Sequence, residues 1–202
     1  MQLGLFTMPS HPPERSLYNG QQWDLQVLRW ADELGFSEAW IGEHHTAPWE
    51  PNPTPDLLVA QALMQTKTMR IGPGGFLLPY HHPAELANRV AMLDHLAQGR
   101  LNFGVAASGL PSDWQMFNVD GMSGQNREMT REALDIILKL WSAAEPFHYD
   151  GKFWKGTGRP KCSACSGRTS SRSRRRTRRS ASPASPRTPI RSSSRASAAS
   201  FR

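Results

Sequence analysis

Four short apolar runs, each followed by a loop and then by a segment with helical periodicity, occupy residues 1–142. The apolar runs are residues 3–8, 37–42, 69–78 and 101–106, and the helical segments are residues 23–34, 54–66, 84–97 and 125–142. This alternation predicts a parallel sheet, because a right-handed helical crossover returns the chain to the same edge of the sheet. The predicted fold class is therefore α/β.

Two closures of such a sheet are open at this point, an open doubly wound sheet and a (βα)8 barrel. A dinucleotide-binding open sheet carries a glycine-rich fingerprint after its first strand, but Thr7, Met8, Pro9 and Ser10 stand there instead. The barrel is therefore favoured. Residues 1–160 would supply about the first four of its eight strand–helix units.

Three local patterns make more detailed predictions. In the first helical segment an apolar stripe is predicted to pack against the sheet, with the charged residues mostly opposite. The loop of about seventeen residues after the fourth strand is long enough to be a functional lid. An Asp-Gly pair within residues 147–154 predicts a β-hairpin. The apolar stripe of the first helical segment consists of Trp23, Val27, Trp30, Ala31 and Leu34.

The second apolar run ends in three ionisable side chains, Glu43, His44 and His45. Loops that follow parallel strands carry the sites of parallel-sheet proteins, so this triplet is the leading candidate site. The third run is interrupted by glycines at 72, 74 and 75. Glycine inside a buried strand marks either a bulge or the close approach of another body to the backbone.

Several stretches that keep their order and spacing resemble the luciferase-like, flavin-dependent monooxygenases, the family of the bacterial luciferase alpha subunit. The matching stretches are residues 4–6, 40–45, 70–79, 82–85 and 93–104. The resemblance covers residues 1 to about 160 and implies the N-terminal half of a (βα)8 TIM barrel. It also implies a reduced flavin mononucleotide, or in some branches a deazaflavin, at the C-terminal mouth of the barrel.

The resemblance implies roles for particular residues. His44 would act as an acid/base group near the reacting edge of the flavin, and Glu43 would orient an imidazole or hydrogen-bond the ring system. The Gly74–Gly75 peptide bond would be a non-proline cis bond behind the flavin. Luciferase itself has cysteine where this chain has Ala106, which favours a general monooxygenase over a light emitter. The implied cofactor-binding residues are Phe6, Gly74, Gly75, Ala106, Ser108 and Gly109.

The resemblance further implies partners for the complete protein. These are a small organic substrate, O2, a flavin reductase that supplies electrons, and a second subunit in a dimer. The chain shows no signal peptide and no apolar run of the roughly 18 residues that a membrane span needs, so a cytoplasmic protein without a membrane partner is expected.

Residues 161–202 differ in composition from everything before them. Residues 1–160 hold 12 Lys+Arg and 17 Asp+Glu, a net charge of −5, whereas residues 161–202 hold 12 Lys+Arg and no acid. Such a Ser/Arg-rich tail lacks the apolar residues that fold a chain, so it is predicted to be disordered. Two explanations are a basic arm that binds nucleic acid and a shifted reading frame.

The shifted frame is the preferred interpretation. In the alternative frame, Ser codons become those of apolar residues and Arg codons become those of Pro, Thr, Ala or Ser. Permitted codons then allow a continuation that resembles the family, including a strand-like Pro-Ile-Gly-Val-Ala-Gly. On this interpretation nucleic-acid binding is not expected, and the Cys162 and Cys165 pair has no redox or zinc role.

A metal-dependent barrel hydrolase is the main rival function. In it, Glu43, His44 and His45 would join His81 or His82 around a zinc ion. Adjacent residues of a strand point to opposite sides, which makes joint ligation by two neighbouring histidines awkward. No metal is therefore predicted.

Overall fold

The computed structural model describes residues 1–159, so the predicted disordered tail lies outside the described residues. The strands are β1 (Gly4–Thr7), β2 (Glu38–Ile41), β3 (Arg70–Pro73), β4 (Phe76–Leu77), β5 (Val105–Ala106), β6 (Phe147–Asp150) and β7 (Lys155–Gly158). The helices are α1 (Leu17–Glu33), α2 (Pro55–Gln65), α3 (Pro83–Ala97), α4 (Pro111–Phe117) and α5 (Gln125–Ser142), with a 3-10 turn at Leu78–Tyr80.

The first strands form the parallel arrangement that the sequence predicts. β1 pairs with β2 and β2 with β3, all parallel, and β4 pairs in parallel with β5. An isolated parallel bridge between Ile71 and Leu101 continues the order towards the fourth strand. The third predicted strand is split into β3 and β4 at Gly74 and Gly75. The predicted hairpin is also confirmed, since β6 and β7 pair antiparallel.

The two faces of the sheet have different environments. Ala39 and Ile71 belong to the hydrophobic core, together with residues of α1, α2, α3 and α5, and their register partner Leu5 packs against it. Phe6 pairs in register with Trp40 on the opposite face, and the Phe6 side chain is 60% exposed. Alternation along a strand explains this division. The Phe6 face is the one that lines the interior in a closed barrel.

α1 differs from its prediction in both its start and its buried face. It begins at Leu17 rather than Trp23, because the Ser16 hydroxyl accepts a hydrogen bond from the Asn19 N–H and caps the helix. Trp23 and Trp30 lie on the outside, where their rings meet edge to face with centroids 5.7 Å apart. The buried residues are Gly20, Asp24, Leu25, Leu28 and Ala31.

A buried hydrogen bond between His11 and Asp24 explains why α1 turns the face with Asp24 inward. His11 Nε2 lies 2.9 Å from Asp24 Oδ2, and both side chains are buried. Burial raises the pKa of Asp24, and the His11 contact opposes that rise. Because a carboxylate with a partner can be buried, the face that holds Asp24 and Leu28 packs inward, contrary to the prediction.

The segment after β5 contains a short helix rather than the one long loop that the sequence predicts. Residues 111–117 form α4, which begins with a proline at its first position and ends at Asn118 in the left-handed conformation. Asp113 on α4 is completely buried, so the segment is packed against the rest of the molecule. Within residues 1–159 no helix is both long and apolar enough to cross a membrane.

Asp32 at the end of α1 fastens the turn that leads from α2 into β3. Its carboxylate accepts hydrogen bonds from the backbone N–H groups of Lys67, Thr68 and Met69 at 2.7, 3.0 and 2.7 Å. The Thr68 hydroxyl adds a fourth at 2.8 Å. Burial raises the pKa of Asp32, but the hydrogen bonds outweigh it and lower the pKa from 3.8 to about 2.

We expect Asp32→Ala to destabilise the fold by about 1–2 kcal/mol, the usual cost of losing a capping carboxylate. Because the folded pKa is depressed, the stabilisation is present above pH 3.8 and is lost as the pH falls through about 2. Urea unfolding at pH 7 and pH 2.5 measures both effects. Asp135→Ala on the exposed face of α5 is the control, and equal losses in the two variants would contradict the prediction.

Candidate active site

The ionisable and aromatic side chains of the site lie where parallel strands end. Glu43, His44 and His45 follow β2, Tyr80 and His81 follow β4, and residues 107–109 follow β5. β2 pairs in parallel with β3 and β4 with β5, and hydrogen bonds join the segments that follow them: Glu43 accepts from the Leu77 N–H and from His81, and Tyr80 donates to Ser108. The triplet and the two later segments therefore meet, as is usual for sites in parallel-sheet proteins.

Glu43 is the buried centre of this edge. Its Oε1 atom accepts hydrogen bonds from His45 Nε2 at 2.8 Å and from His81 Nε2 at 2.9 Å. Its Oε2 atom accepts from the Leu77 N–H at 3.1 Å, and the side chain has no exposed surface. Burial raises the pKa of Glu43, but the hydrogen bonds from His45 and His81 outweigh it, so the net pKa lies below its usual value.

Arg89 on α3 determines how His81 is protonated. Its Nη2 atom lies 3.2 Å from His81 Nδ1, and because a guanidinium only donates, that nitrogen must accept. The other nitrogen, Nε2, therefore carries the hydrogen that is donated to Glu43. Arg89 Nε also lies 2.9 Å from a carboxylate oxygen of Asp56. His81 is thus held as the Nε2–H tautomer between Glu43, which accepts from Nε2, and Arg89, which donates to Nδ1.

His45 lies in an aromatic pocket. Its ring meets Tyr80 and Phe117 edge to face, with centroids 5.4 and 4.7 Å away, and those two rings stack at 4.1 Å. The Tyr80 hydroxyl donates to Ser108 Oγ at 2.7 Å. Burial raises the pKa of Tyr80, and nearby Asp113 and Glu43 add to the rise, so the phenol remains a donor at neutral pH.

Asp113 attaches α4 to the turn after His45. Its Oδ1 atom accepts from the Thr46 N–H at 2.9 Å and from the Thr46 hydroxyl at 2.5 Å. The same helix supplies Phe117 to the aromatic pocket. The helix that the sequence did not predict is therefore part of the site.

His44 faces away from Glu43. Its Nδ1 atom lies 2.7 Å from Glu50 Oε2, and each of the two side chains is 30% exposed. The backbone of His44 pairs with that of Asn52, and the Asn52 side-chain amide donates to the Gly42 carbonyl at 2.7 Å. The structure thus brings Glu43 together with His45 and His81, and it sends His44 to the accessible side.

The two glycines at the split of the third strand pack closely against neighbouring residues. The Gly74–Gly75 peptide bond is cis, as the resemblance implies. A Cβ atom on Gly74 would lie 2.9 Å from Trp40 Cβ and 3.1 Å from a ring atom of Phe6. One on Gly75 would lie 2.4 Å from the backbone nitrogen of Val105. Neither position accommodates a side chain.

The remaining predicted residues lie along one segment. Ala106 pairs in register with Leu77, and Ser108 has a left-handed backbone with φ of 64°. Gly109 is exposed, and a Cβ there would have nothing within 4 Å. The carbonyls of Ala107 and Ser108 accept hydrogen bonds from the buried Asn126 amide at 3.1 and 3.0 Å, which fixes the path of this segment.

The zinc hypothesis does not fit this geometry. The His45 and His81 nitrogens that face Glu43 carry hydrogens donated to its Oε1 atom, so they have no lone pair for a metal. His44 lies against Glu50 instead. Within residues 1–159, no three His, Cys, Asp or Glu side chains are arranged to hold a metal ion.

Sequence patterns do not single out several other residues of the site, among them Tyr80, Phe117, Arg89 and Glu50. Tyr80 and His81 stand directly before the His82-Pro83 helix start, a position where a strand has just ended. That placement was a usable signal. Phe117 and Glu50 lie in segments that read as plain loop, so only the folded chain shows their contacts.

Comparison with known proteins places these features in a family. The sequence model of the family described as luciferase-like monooxygenase matches residues 1–169. The chain is 40% identical over 147 residues to 4-hydroxyprotoasukamycin monooxygenase of Streptomyces nodosus subsp. asukaensis, covering 71% of this chain and 38% of that protein. The alignment therefore spans well under half of the relative.

Solved structures show the same likeness. The oxygenating constituent of 3,6-diketocamphane monooxygenase from Pseudomonas putida, a type II Baeyer–Villiger monooxygenase in complex with FMN, is 34% identical with a TM-score of 0.73. The match covers 78% of this chain and 43% of that one. An F420-dependent secondary alcohol dehydrogenase shares the fold at 21% identity and a TM-score of 0.62. The chain belongs to the family of luciferase-like monooxygenases.

Proposed function

We propose that the complete protein is a flavin-dependent monooxygenase that uses reduced FMN and O2 to oxygenate a small organic substrate. The observation that carries the proposal is the Gly74–Gly75 backbone, which has no side chains, with Gly74 against the exposed Phe6 ring and hydrogen-bonded to Ile41 at the end of the strand that leads to His44. The FMN complex of the diketocamphane relative supports the choice of FMN over a deazaflavin. A separate reductase supplies the reduced flavin.

The residues present fit a flat aromatic cofactor. The backbone at Gly74 carries no side chain, and the Phe6 ring beside it is 60% exposed. Gly74 N–H donates to the Ile41 carbonyl at 2.7 Å, and Ile41 ends the strand three residues before His44. The glycines and His44 are therefore connected through the end of β2. Phe6, Gly74 and Gly75 would therefore hold the ring system, together with Ala106, Ser108 and Gly109.

Bound reduced flavin supplies the electrons that activate oxygen. The protein contributes proton transfer and positioning. His44, which is partly exposed, would take up or deliver a proton at its accessible ring nitrogen. Glu43, which has no exposed surface, would act through His45 and His81 by fixing their orientation. Tyr80 and Phe117 would form an aromatic wall towards the substrate.

A flavin titration tests this proposal. Reduced FMN added to the 202-residue chain is expected to bind more weakly than about 100 μM, because the strands of residues 1–159 do not close into a barrel and Phe6 is left 60% exposed. A continuous barrel built from this chain and a second half of the family is expected to bind at low micromolar concentration. Failure of that complete barrel to bind any flavin would refute the proposed function.

The coding DNA tests the interpretation of the tail. The chain spans 38% of the asukamycin-related enzyme and 43% of the diketocamphane structure, so the relatives are more than twice as long as the matched part. We expect the alternative frame beyond Lys161 to encode further strand–helix units, because the net charge changes sign there. An alternative frame that is interrupted by stop codons would contradict this.

A further inference from the structure

We propose that Glu50 is a positioning residue for His44, holding the imidazole as the Nδ1–H tautomer so that Nε2 is the proton-accepting atom. The proposal rests on the proposed function in one respect, the role of His44 in proton transfer. The tautomer itself follows from the contact between His44 Nδ1 and Glu50 Oε2, which are 2.7 Å apart.

The chemistry of the two groups decides the tautomer. A carboxylate accepts hydrogen bonds and cannot donate one. The contact between it and a ring nitrogen at this distance is therefore attractive only if the nitrogen carries the hydrogen. Nδ1 of His44 is buried, whereas the side chain as a whole is 30% exposed, so the accessible end of the ring is the Nε2 end. Glu50 thereby leaves a lone pair on the nitrogen that faces solvent.

The contact is close but is not aligned as a regular hydrogen bond. Catalytic hydrogen bonds are often poorly aligned before ligands bind and tighten in the complex. The electrostatic preference for a hydrogen on Nδ1 does not require perfect alignment, because the carboxylate charge acts at 2.7 Å in any orientation.

The loop between His44 and Asn52 is built to hold Glu50 in place. Glu50 N–H donates to the Ala47 carbonyl at 3.1 Å, and its own carbonyl accepts from the Asn52 N–H at 2.9 Å. The His44 N–H donates to the Asn52 carbonyl at 3.2 Å. Both ends of the loop are therefore joined, and the Glu50 backbone is fixed from both sides.

The loop is also connected to α1, through His11. His11 N–H donates to the carbonyl of Trp49 at 2.8 Å, and the His11 ring is fixed by Asp24 at 2.9 Å. Gly20 lies under that ring, where a Cβ would approach within 2.6 Å of His11 Cδ2. The buried His11–Asp24 pair thus holds the residue directly before Glu50.

His81 provides a contrast within the same molecule. Arg89 donates to its Nδ1 atom and Glu43 accepts from its Nε2 atom, which fixes the Nε2–H tautomer. His44 has a carboxylate at Nδ1 and is assigned the opposite tautomer. The ring nitrogens of the two histidines are therefore expected to give different nitrogen-15 signals in one sample.

Nitrogen-15 correlation spectra of the 202-residue chain at pH 8 test the assignment. His44 is expected as the Nδ1–H form, and Glu50→Ala is expected to shift most of it to the Nε2–H form that free imidazole rings favour. His81 should keep its Nε2–H pattern in both samples, and Glu145→Ala is the matched control. An Nε2–H form of His44 in the unmodified chain would overturn the proposal, as would an unchanged spectrum in Glu50→Ala.

A kinetic measurement on the complete barrel decides the functional part. Glu50→Ala is expected to lower kcat by about 10- to 100-fold with KM changed by less than about threefold, as when a group that orients an essential side chain is removed. Unchanged kcat would overturn the positioning role. If the unmodified barrel shows no flavin-dependent turnover, the proposed function fails, while the spectra still decide the tautomer.

Discussion

Glu43→Gln is expected to lower the free energy of unfolding by about 3–5 kcal/mol, the cost typical of breaking a buried charged network. Three donors face the carboxylate, namely His45 Nε2, His81 Nε2 and the Leu77 N–H. A glutamine offers one oxygen and an NH2 group, so at least one donor would meet another donor. His81 cannot escape by changing tautomer, because Arg89 requires its Nδ1 as an acceptor.

Thermal and urea unfolding of the variant measure this loss. Glu38→Gln, at the other end of the same strand, is the control and should cost less than about 0.5 kcal/mol. A loss for Glu43→Gln no larger than that of the control would mean that the carboxylate is not the centre of the network. The depressed pKa of Glu43 adds a pH dependence. The stabilisation is present above the pKa of the carboxyl group in the unfolded chain, and it is lost as the pH falls through the lower pKa of the folded protein.

His44→Ala in the complete barrel is expected to reduce oxygenation by about 100- to 10,000-fold, the range typical for loss of a general acid or base. The flavin dissociation constant should change by less than about threefold, because Phe6 and the Gly74–Gly75 backbone hold the ring system in the proposal. Single-turnover rates and flavin titrations measure the two quantities separately.

His148→Ala, on the exposed hairpin strand β6, is the control for the His44 experiment and should leave both quantities unchanged. Equal losses in flavin affinity and in turnover for His44→Ala would make His44 a binding residue. A loss of stability beyond about 1 kcal/mol in His44→Ala would point to a structural role, since the side chain is 30% exposed and makes no regular hydrogen bond through Nδ1.

The sequence predicted the parts of the fold that depend on local periodicity and on strand order. The parallel strands and the β6–β7 hairpin follow from patterns within a few residues. The buried face of α1 did not follow, because Asp24 is buried only when His11, thirteen positions earlier, supplies its partner. α4 was missed because its seven residues are too short for a clear apolar period.

The candidate site shows the same division between local and long-range information. The position of Glu43, His44 and His45 at a strand end was predictable, because a strand stops where the apolar run stops. Their different environments depend on His81 and Glu50, which approach from segments that carry no periodic signal. Single-sequence patterns place residues along the chain, whereas contacts between distant loops assign their partners.

The edge-to-face pair of Trp23 and Trp30 gives this chain an optical reporter. Both indoles are about half exposed on α1, on the side away from Arg29 and its hydrogen bond to Gln65 of α2. In a (βα)8 barrel that side of the first helix adjoins the last one, which would remove water from both rings. Tryptophan emission of a closed barrel is therefore expected at a shorter wavelength than that of the 202-residue chain, and this difference is expected to shrink in Trp23→Phe and in Trp30→Phe. The comparison would distinguish a closed barrel from an isolated half without any cofactor or substrate.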